Sequence, residues 1–479
     1  MRHISCLPLW ARAVCGVLLS APAFAQYRAR TDTAIVPYPS AVPAMGDAGS
    51  CITDPGFNST ICAVTDANTD PTDVGGSYTT ANYSGTNAWA SDSKHFYWMG
   101  PQGYLWLGTF DPVHGTVTSI VKSTNGVGLG LLSDAEFSFS NPNLAIGVPT
   151  WPQIDQVLNG VETVIHDARP DYTVSPIPYA NDVSISYDGT RTSFSAGTGQ
   201  DVDRLFYVWD STQHGYSYVD TRTWQVVGQW GSSGKALNQT ALALAPLGIH
   251  DSAISRDGKW AELIPGTTPQ LVVWQIGTLN VWAFSASGPN TAGIGSGGHD
   301  ALGYSTYYDT DGSLTPTWLP QYYVSLPFGT FAPIKPLIST VMSGYTQDGS
   351  DYHLSANIHR PASNPFDSNP VIVSTEYVNN PAGIGVEPLA LAPYMNEIDG
   401  LCTSCATPKV WRFAHTFDQY IAPSCCGVTG NVSGDGKWFV FTSNWACTRG
   451  LDSSGNCRTD VFIVNLQSAG STAPGEEQP

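Results

Sequence analysis

One phrase recurs along this chain, and its recurrence limits the fold more than any single motif does. A small or apolar residue is followed by Ser, one or two residues, Asp-Gly, and then Lys, Arg or Thr leading into an aromatic-rich run. It reads Val183-Ser184-Ile185-Ser186-Tyr187-Asp188-Gly189, Ala253-Ile254-Ser255-Arg256-Asp257-Gly258-Lys259-Trp260, and Val432-Ser433-Gly434-Asp435-Gly436-Lys437-Trp438-Phe439. A degenerate copy is Ala88-Trp89-Ala90-Ser91-Asp92-Ser93-Lys94-His95-Phe96. A supersecondary unit used several times implies a repeat architecture.

The composition fits a strand-rich repeat. Only 12% of residues are charged, while Gly and Pro number 48 and 34 and aromatics include 15 Trp, 22 Tyr and 17 Phe. Turn formers and aromatics suit short strands joined by tight turns, and this aromatic density argues against disorder. Phe96-Tyr97-Trp98-Met99, Leu205-Phe206-Tyr207-Val208-Trp209 and Val461-Phe462-Ile463-Val464 read as strands. No long segment keeps a helical period.

Seven unit starts are expected near residues 88, 135, 182, 252, 299, 353 and 431. Spacings of about 47 residues recur among them, the length of a four-stranded propeller blade, and longer intervals carry inserted loops. Within each unit Asp-Gly makes the hairpin turn, because Gly takes positive φ cheaply. The expectation is an all-β, seven-bladed β-propeller of four-stranded antiparallel blades over residues 84–468. An irregular arm spans 26–83, and residues 469–479 form a disordered tail. The last blade runs from Gly430 to Leu466 and is completed by an N-terminal strand. A two-sheet sandwich array is the competing fold.

Residues 1–25 read as a signal peptide. Arg2 precedes the apolar run Ala13-Val14-Cys15-Gly16-Val17-Leu18-Leu19, and Ala23-Phe24-Ala25 matches a small-x-small cleavage site. That run is too short for a membrane span, so the expected product is monomeric and either secreted or periplasmic. Cys6 and Cys15 leave with the signal, and an even number of cysteines remains for an oxidising compartment. Cys51 with Cys62, and Cys447 with Cys457, would each close a short loop. Cys402, Cys405, Cys425 and Cys426 allow three pairings or, as the alternative, a zinc site. The net charge of −19 excludes duplex nucleic acid as a partner and disfavours polyanions at large.

The Ser-x-Asp-Gly-Lys-Trp phrase, with the late strand Thr459-Asp460-Val461-Phe462-Ile463-Val464-Asn465-Leu466, resembles the TolB-type (PD40, WD40-like) repeats of bacterial secreted propellers. The units at Asp134-Ala135-Glu136-Phe137-Ser138 and His353-Leu354-Ser355 lack Asp-Gly at the expected offset. The resemblance implies a fold and is almost silent on function.

Histidines supply the second pattern. His250, His299 and His353 fall at or near expected inner-strand starts, His359 follows in the same unit, and His415 precedes the last repeat phrase. Inner strand starts of a propeller face one mouth of its channel. Imidazoles converging there could bind a divalent metal (Ca, Mn or Zn) or act as acid and base. The metal set would be His299, His353, His359 and His415. The bland reading is that His-Asp pairs fix strand ends. The layout also resembles seven-bladed polysaccharide lyases that act on uronate-containing glycans by β-elimination. That resemblance implies His250 or His299 as base, Tyr304 or Tyr307 as acid, and Arg412 masking the uronate carboxylate.

Weaker signals point elsewhere. Asp309-Thr310-Asp311-Gly312 is similar to a fragment of a calcium loop without its distal Glu. The vicinal pair Cys425-Cys426 resembles that of quinone-dependent alcohol dehydrogenases, but their Trp-bearing repeat is not evident. No Gly-x-Ser-x-Gly elbow, P-loop or His-Glu-x-x-His occurs. Trp89, Trp98, Trp106, Trp260 and Trp438 recur at fixed offsets, which favours packing over sugar stacking. Two function classes follow: a polysaccharide lyase, or a non-catalytic envelope propeller that binds protein or glycan. A mouth lined by Ser, Asn and Gly, with histidines dispersed on strand ends, would favour the binder.

Overall fold

A computed structural model describes residues 27–31, 36, 39, 41–81, 86–149, 151–172, 179–198, 203–237, 248–255, 257–265, 270–285, 397–402, 410–418 and 430–468. It also gives the backbone of strands at 294–295, 304–308, 321–325, 335–336, 352–359 and 371–378. Among these residues the fold is all-β, and its strands make seven antiparallel sheets. Sheet 1 holds Thr79–Thr80, His95–Met99, Leu105–Asp111 and Thr116–Lys122; sheet 2 holds Asp134–Phe137, Leu144–Val148, Gln153–Leu158 and Val161–Asp167. Sheet 3 starts with Tyr179–Ile185, Arg191–Gly197, Leu205–Asp210 and Gly215–Asp220, and adds Gln225–Gly228 and Lys235–Ala236. Sheet 4 holds Ile249–Ile254, Trp260–Pro265, Gln270–Gln275 and Val281–Ser285. Sheet 5 holds Ile294–Gly295, Tyr304–Tyr308, Gln321–Ser325 and Lys335–Pro336; sheet 6 holds Tyr352–His359, Val371–Val378, Glu397–Cys402 and Val410–His415. Each of the seven expected units lies in the chain segment of a different sheet.

Sheet 7 joins the two ends of the chain. Gly430–Val432, Trp438–Ser443 and Asp460–Asn465 are followed in the ladder by Thr60–Ala63 and then Cys51–Thr53. The register sets Cys62 opposite Ile463 and Cys51 opposite Cys62. The arm expected to be irregular therefore supplies two strands here and a third to sheet 1. The disulfides Cys51–Cys62 and Cys447–Cys457 both form, as their spacing led us to expect. Cys405, Cys425 and Cys426 lie outside the described residues, and Cys402 has only its backbone described.

The repeated phrase builds one turn each time. Ser186, Ser255 and Ser433 donate through Oγ to Oδ1 of Asp188, Asp257 and Asp435, at 2.6, 2.6 and 2.7 Å. Each Asp Oδ1 then accepts the backbone N–H two residues on, from Thr190, Lys259 and Lys437. This Asx arrangement holds the turn while Gly189, Gly258 and Gly436 take φ of 68, 66 and 69°. The degenerate copy keeps the geometry with Ser93 at φ 58°. Its hydroxyl accepts the Asp435 N–H at 2.9 Å, so the left-handed Ser is used to tie sheet 1 to sheet 7.

Apolar cores lie between consecutive sheets. Trp89, Phe96, Trp98 and Trp106 of sheet 1 pack with Trp438, Val440 and Ile463 of sheet 7. Tyr97 and Leu105 pack with Ala135, Phe137 and Val157 of sheet 2. Ile146 and Val148 meet Ile185, Phe194 and Tyr207 of sheet 3, and Phe206 and Val208 meet Ile254 and Val272 of sheet 4. Ile398 and Phe413 of sheet 6 meet Phe439 and Phe462 of sheet 7. Four of the five recurring tryptophans are thus buried packing residues; Trp260 is half-buried.

Hydrogen bonds stitch the same neighbours. Asn431 donates to Thr86 O and accepts the Trp89 indole N–H at its own carbonyl. Ser184 Oγ accepts the Ile254 N–H at 2.7 Å. Glu136, wholly buried, accepts the Asn87 N–H on Oε1 at 2.9 Å and the Ile185 N–H on Oε2 at 3.0 Å. One carboxylate thereby ties sheets 1, 2 and 3. Glu136→Ala takes the acceptor from a buried N–H at Ile185 and a half-buried one at Asn87, and we expect a loss of about 2–4 kcal/mol in urea unfolding. A loss under about 0.5 kcal/mol would show the stitch to be incidental.

Candidate functional site

The first strands of sheets 2, 3 and 4 begin at a common structural position. Ser138, Ser186 and Ser255 each close their turn by donating N–H to the carbonyl opening the next strand. Counting back four residues from each gives Asp134, Asp182 and Asp251. The strand start is kinked in two of these sheets. Register shifts between Asn181 and Ser184, and between Ile249 and Asp251, so that His250 is the extra residue of a bulge. Bulges re-aim side chains and concentrate beside functional sites.

Around sheet 3 this end is a polar knot. Asp182 sits at φ 55° and accepts Ser195 Oγ–H at 2.8 Å. Asp203 accepts Asn181 Nδ2–H at 3.0 Å, and its backbone carbonyl takes the Ile249 N–H of sheet 4. Asp134 accepts the Val183 N–H at 2.9 Å. Thr86, Asp182, Asp203, Ser252 and Asn431 at this end are buried polar groups, and Asn87, Asp134 and Asn181 are half-buried.

The expected site residues separate. His250 is at this end, with its backbone alone described. His299 lies outside the described residues. Tyr304 opens the second strand of sheet 5 opposite Ser325, and Tyr307 lies opposite Tyr322; both have only their backbone described. His353 and His359 lie on the first strand of sheet 6, opposite Tyr377 and Val371. Six residues of strand separate them by about 20 Å, so they cannot share one ion.

Arg412 and His415 occupy the outermost strand of sheet 6, about 14 Å across the ladder from its first strand. The Arg412 guanidinium is wholly buried and held by both Glu397 oxygens, at 2.9 and 2.8 Å. The N-terminal arm covers it: Arg412 N–H donates to Arg30 O, and Phe57 lies 5.4 Å from the guanidinium carbon. His415 is equally buried. Its N–H donates to Asp54 Oδ2 at 2.6 Å, and its Nδ1 is 3.1 Å from both Asp54 oxygens. A Cβ at Gly56 would come within 2.6 Å of the His415 ring, so the 54–57 turn closes down on the imidazole. In this setting Arg412 and His415 anchor the N-terminal arm to sheet 6.

Among the described residues no group of three His, Cys, Asp or Glu side chains could hold a metal ion. Of the four expected ligands only the His415 side chain is described, and its Nδ1 faces Asp54. The Asp309-Thr310-Asp311-Gly312 fragment lies outside the described residues.

Two groups carry chemistry that sequence patterns did not single out. His166 Nε2 is 2.6 Å from Asp171 Oδ2, which also accepts the Tyr207 hydroxyl at 2.6 Å. Burial and the neighbouring Asp171 carboxylate push the Tyr207 phenol far above its ordinary range. The His166-Asp167 dipeptide is the same His-Asp signal that drew attention to His250-Asp251, so it was available to be read. Asp418 is the other: burial pushes its carboxyl up to about 7, opposed only by one N–H from Asn444. Nothing in the residues around Asp418 marks it in advance.

No helix among the described residues is long and apolar enough to cross a membrane. No protein-family model matches the chain, and no curated protein matches it.

Proposed function

We propose that the seven sheets are the blades of a closed seven-bladed β-propeller of the TolB/PD40 kind, with the N-terminal strands completing the last blade, and that it serves as an exported binding module. Support comes from the order of the stitches and cores, which run from sheet 6 through 7, 1, 2 and 3 to 4. The first strand of sheet 5 also lies against that of sheet 6. Two formed disulfides favour an oxidising compartment outside the cytoplasm. The ligand, a glycan or a protein, is taken at the end where the first strands begin.

One observation carries the choice of binder over enzyme. The described part of that end is lined by Asn, Asp, Ser and Thr engaged in stitching, while His415 and Arg412 are buried elsewhere beneath the N-terminal arm. The bulge at His250 keeps a second reading in view, a lyase using His250 or His299 as base and Tyr304 as acid. That chemistry needs an electrophile on the uronate carboxylate, and the buried Arg412 guanidinium already gives Nε–H and Nη2–H to Glu397.

The test is to incubate the purified mature protein with polygalacturonate and with alginate and to follow ultraviolet absorbance of the unsaturated product. The binding reading predicts no product from wild type, with and without added Ca, Mn or Zn. Product that disappears in His250→Ala would overturn it in favour of the lyase.

A further inference from the structure

The outer edge of sheet 2 gathers a different set of groups at one spot. Its third strand opens at Gln153 and its fourth closes at Asp167, and the ladder sets these two opposite each other. Trp151 stands just before Gln153, 38% exposed, with its indole N–H directed at Gln153 Oε1 at 3.4 Å. Asp167 holds Arg169 through Nε and Nη2 at 2.7 and 2.6 Å, and that guanidinium keeps its carboxyl below the usual range. His166, the neighbour of Asp167, faces the other way: it sits opposite Ile154, on the side of the strand that packs toward sheet 3.

His166 Nε2 lies 2.6 Å from Asp171 Oδ2. The ring lies flat against Trp209, with centroids 3.9 Å apart and planes 11° apart. Tyr207 fixes Asp171 in turn. His166 thus braces sheet 2 against sheet 3, apart from the Trp151 rim.

We propose that this rim is a binding subsite for a neutral carbohydrate. A sugar ring presents an apolar C–H face and a fringe of hydroxyls. Trp151 offers the flat apolar platform. The Asp167–Arg169 fork offers donors and acceptors in fixed geometry. Arg169 is already neutralised by Asp167, so the rim holds no spare cation for a uronate or sulfate, and the chain's net charge of −19 opposes polyanions further. The proposal stands on this rim and depends neither on ring closure nor on a ligand at the first-strand end.

The experiment titrates the purified mature protein with uncharged β-glucan, β-xylan and β-mannan hexasaccharides, and with polygalacturonate for comparison, following tryptophan fluorescence and calorimetric heat. Saturable binding of at least one neutral hexasaccharide is expected, weakened about tenfold or more by Trp151→Ala and by Arg169→Ala. Both side chains are exposed, and unchanged unfolding midpoints would show that these variants fold. His166→Gln, on the opposite face of the strand, should leave affinity within about twofold. The proposal is overturned if no neutral hexasaccharide binds up to about 10 mM, if only polygalacturonate binds, or if Trp151→Ala leaves affinity within about twofold.

Discussion

Replacing Asp460 by Asn should cost about 3–5 kcal/mol, the amount expected when one partner is removed from a buried ionic cluster. Asp460 is wholly buried in sheet 7. Its Oδ2 accepts Arg449 Nε–H at 2.6 Å and Arg458 Nη2–H at 2.9 Å, and its Oδ1 accepts the Thr65 hydroxyl at 3.1 Å. Arg449 reaches on to the carbonyls of Gly46 and Thr65, so the cluster binds the N-terminal arm to the C-terminal strand. Asn keeps the shape and removes the charge, leaving two nearly buried guanidinium groups without a carboxylate. The loss should therefore appear in two readouts. Urea unfolding should shift to lower denaturant, and limited proteolysis should begin within residues 41–65 under conditions where wild type is intact. Arg449→Leu should loosen the same segment less, because Arg458 still neutralises Asp460. Equal proteolysis of D460N and wild type would mean that the arm is held by strand pairing and the Cys51–Cys62 hairpin alone.

What the sequence made legible follows from the range over which each feature is determined. The Ser-x-Asp-Gly turn is local chemistry. Its hydroxyl, carboxylate and left-handed Gly lie within four residues, so reading the phrase was enough to place sheets 3, 4 and 7. Sheet 1 was found through a degenerate copy because Ser93 can occupy the left-handed position when its hydroxyl has a partner. Sheet 2 lacks Asp-Gly, yet Ser138 still caps the turn by accepting the N–H groups of Ser140 and Asn141. Site residues are another matter. His415 is defined by Asp54, 361 positions away, and no periodicity encodes that meeting. Arg412 reads as a free cation beside His415 until the neighbouring strand of sheet 6 brings the Glu397 carboxylate to its guanidinium. The bulge at His250 depends on how Ile249–Ile254 pairs with Trp260–Pro265, a tertiary outcome that the His-Asp dipeptide only hints at.

Asp418 should make the fold weaken as pH rises toward neutrality. Its side chain is buried between the end of sheet 6 and the turn at Trp445–Cys447. Oδ1 accepts the Asn444 N–H at 2.8 Å, and among the described residues no cation is paired with it. Phe417 lies against Trp445, with centroids 4.7 Å apart, and its carbonyl takes the Ala446 N–H. The carboxyl therefore sits in an apolar seam, and desolvation raises it from an ordinary 3.8 to about 7. A raised pKa means that the folded state binds this proton more tightly than the unfolded state. Stability from this group is then full below about pH 4, declines between about 4 and 7, and stays at its lower level above that. Three units correspond to about 4 kcal/mol, an upper figure because water entry would relieve part of it. Asp418→Asn carries no titrating proton and can still accept from Asn444. The difference in unfolding free energy between the two proteins should change by about 2–3 kcal/mol from about pH 5 to pH 8, with D418N gaining relative to wild type at the higher pH. Taking the difference cancels the other carboxylates and histidines, which titrate alike in both. Parallel curves for wild type and D418N would show that Asp418 is already ionised in the folded protein at pH 5, with its charge met by solvent. A divergence of opposite sign would require a cation beside it.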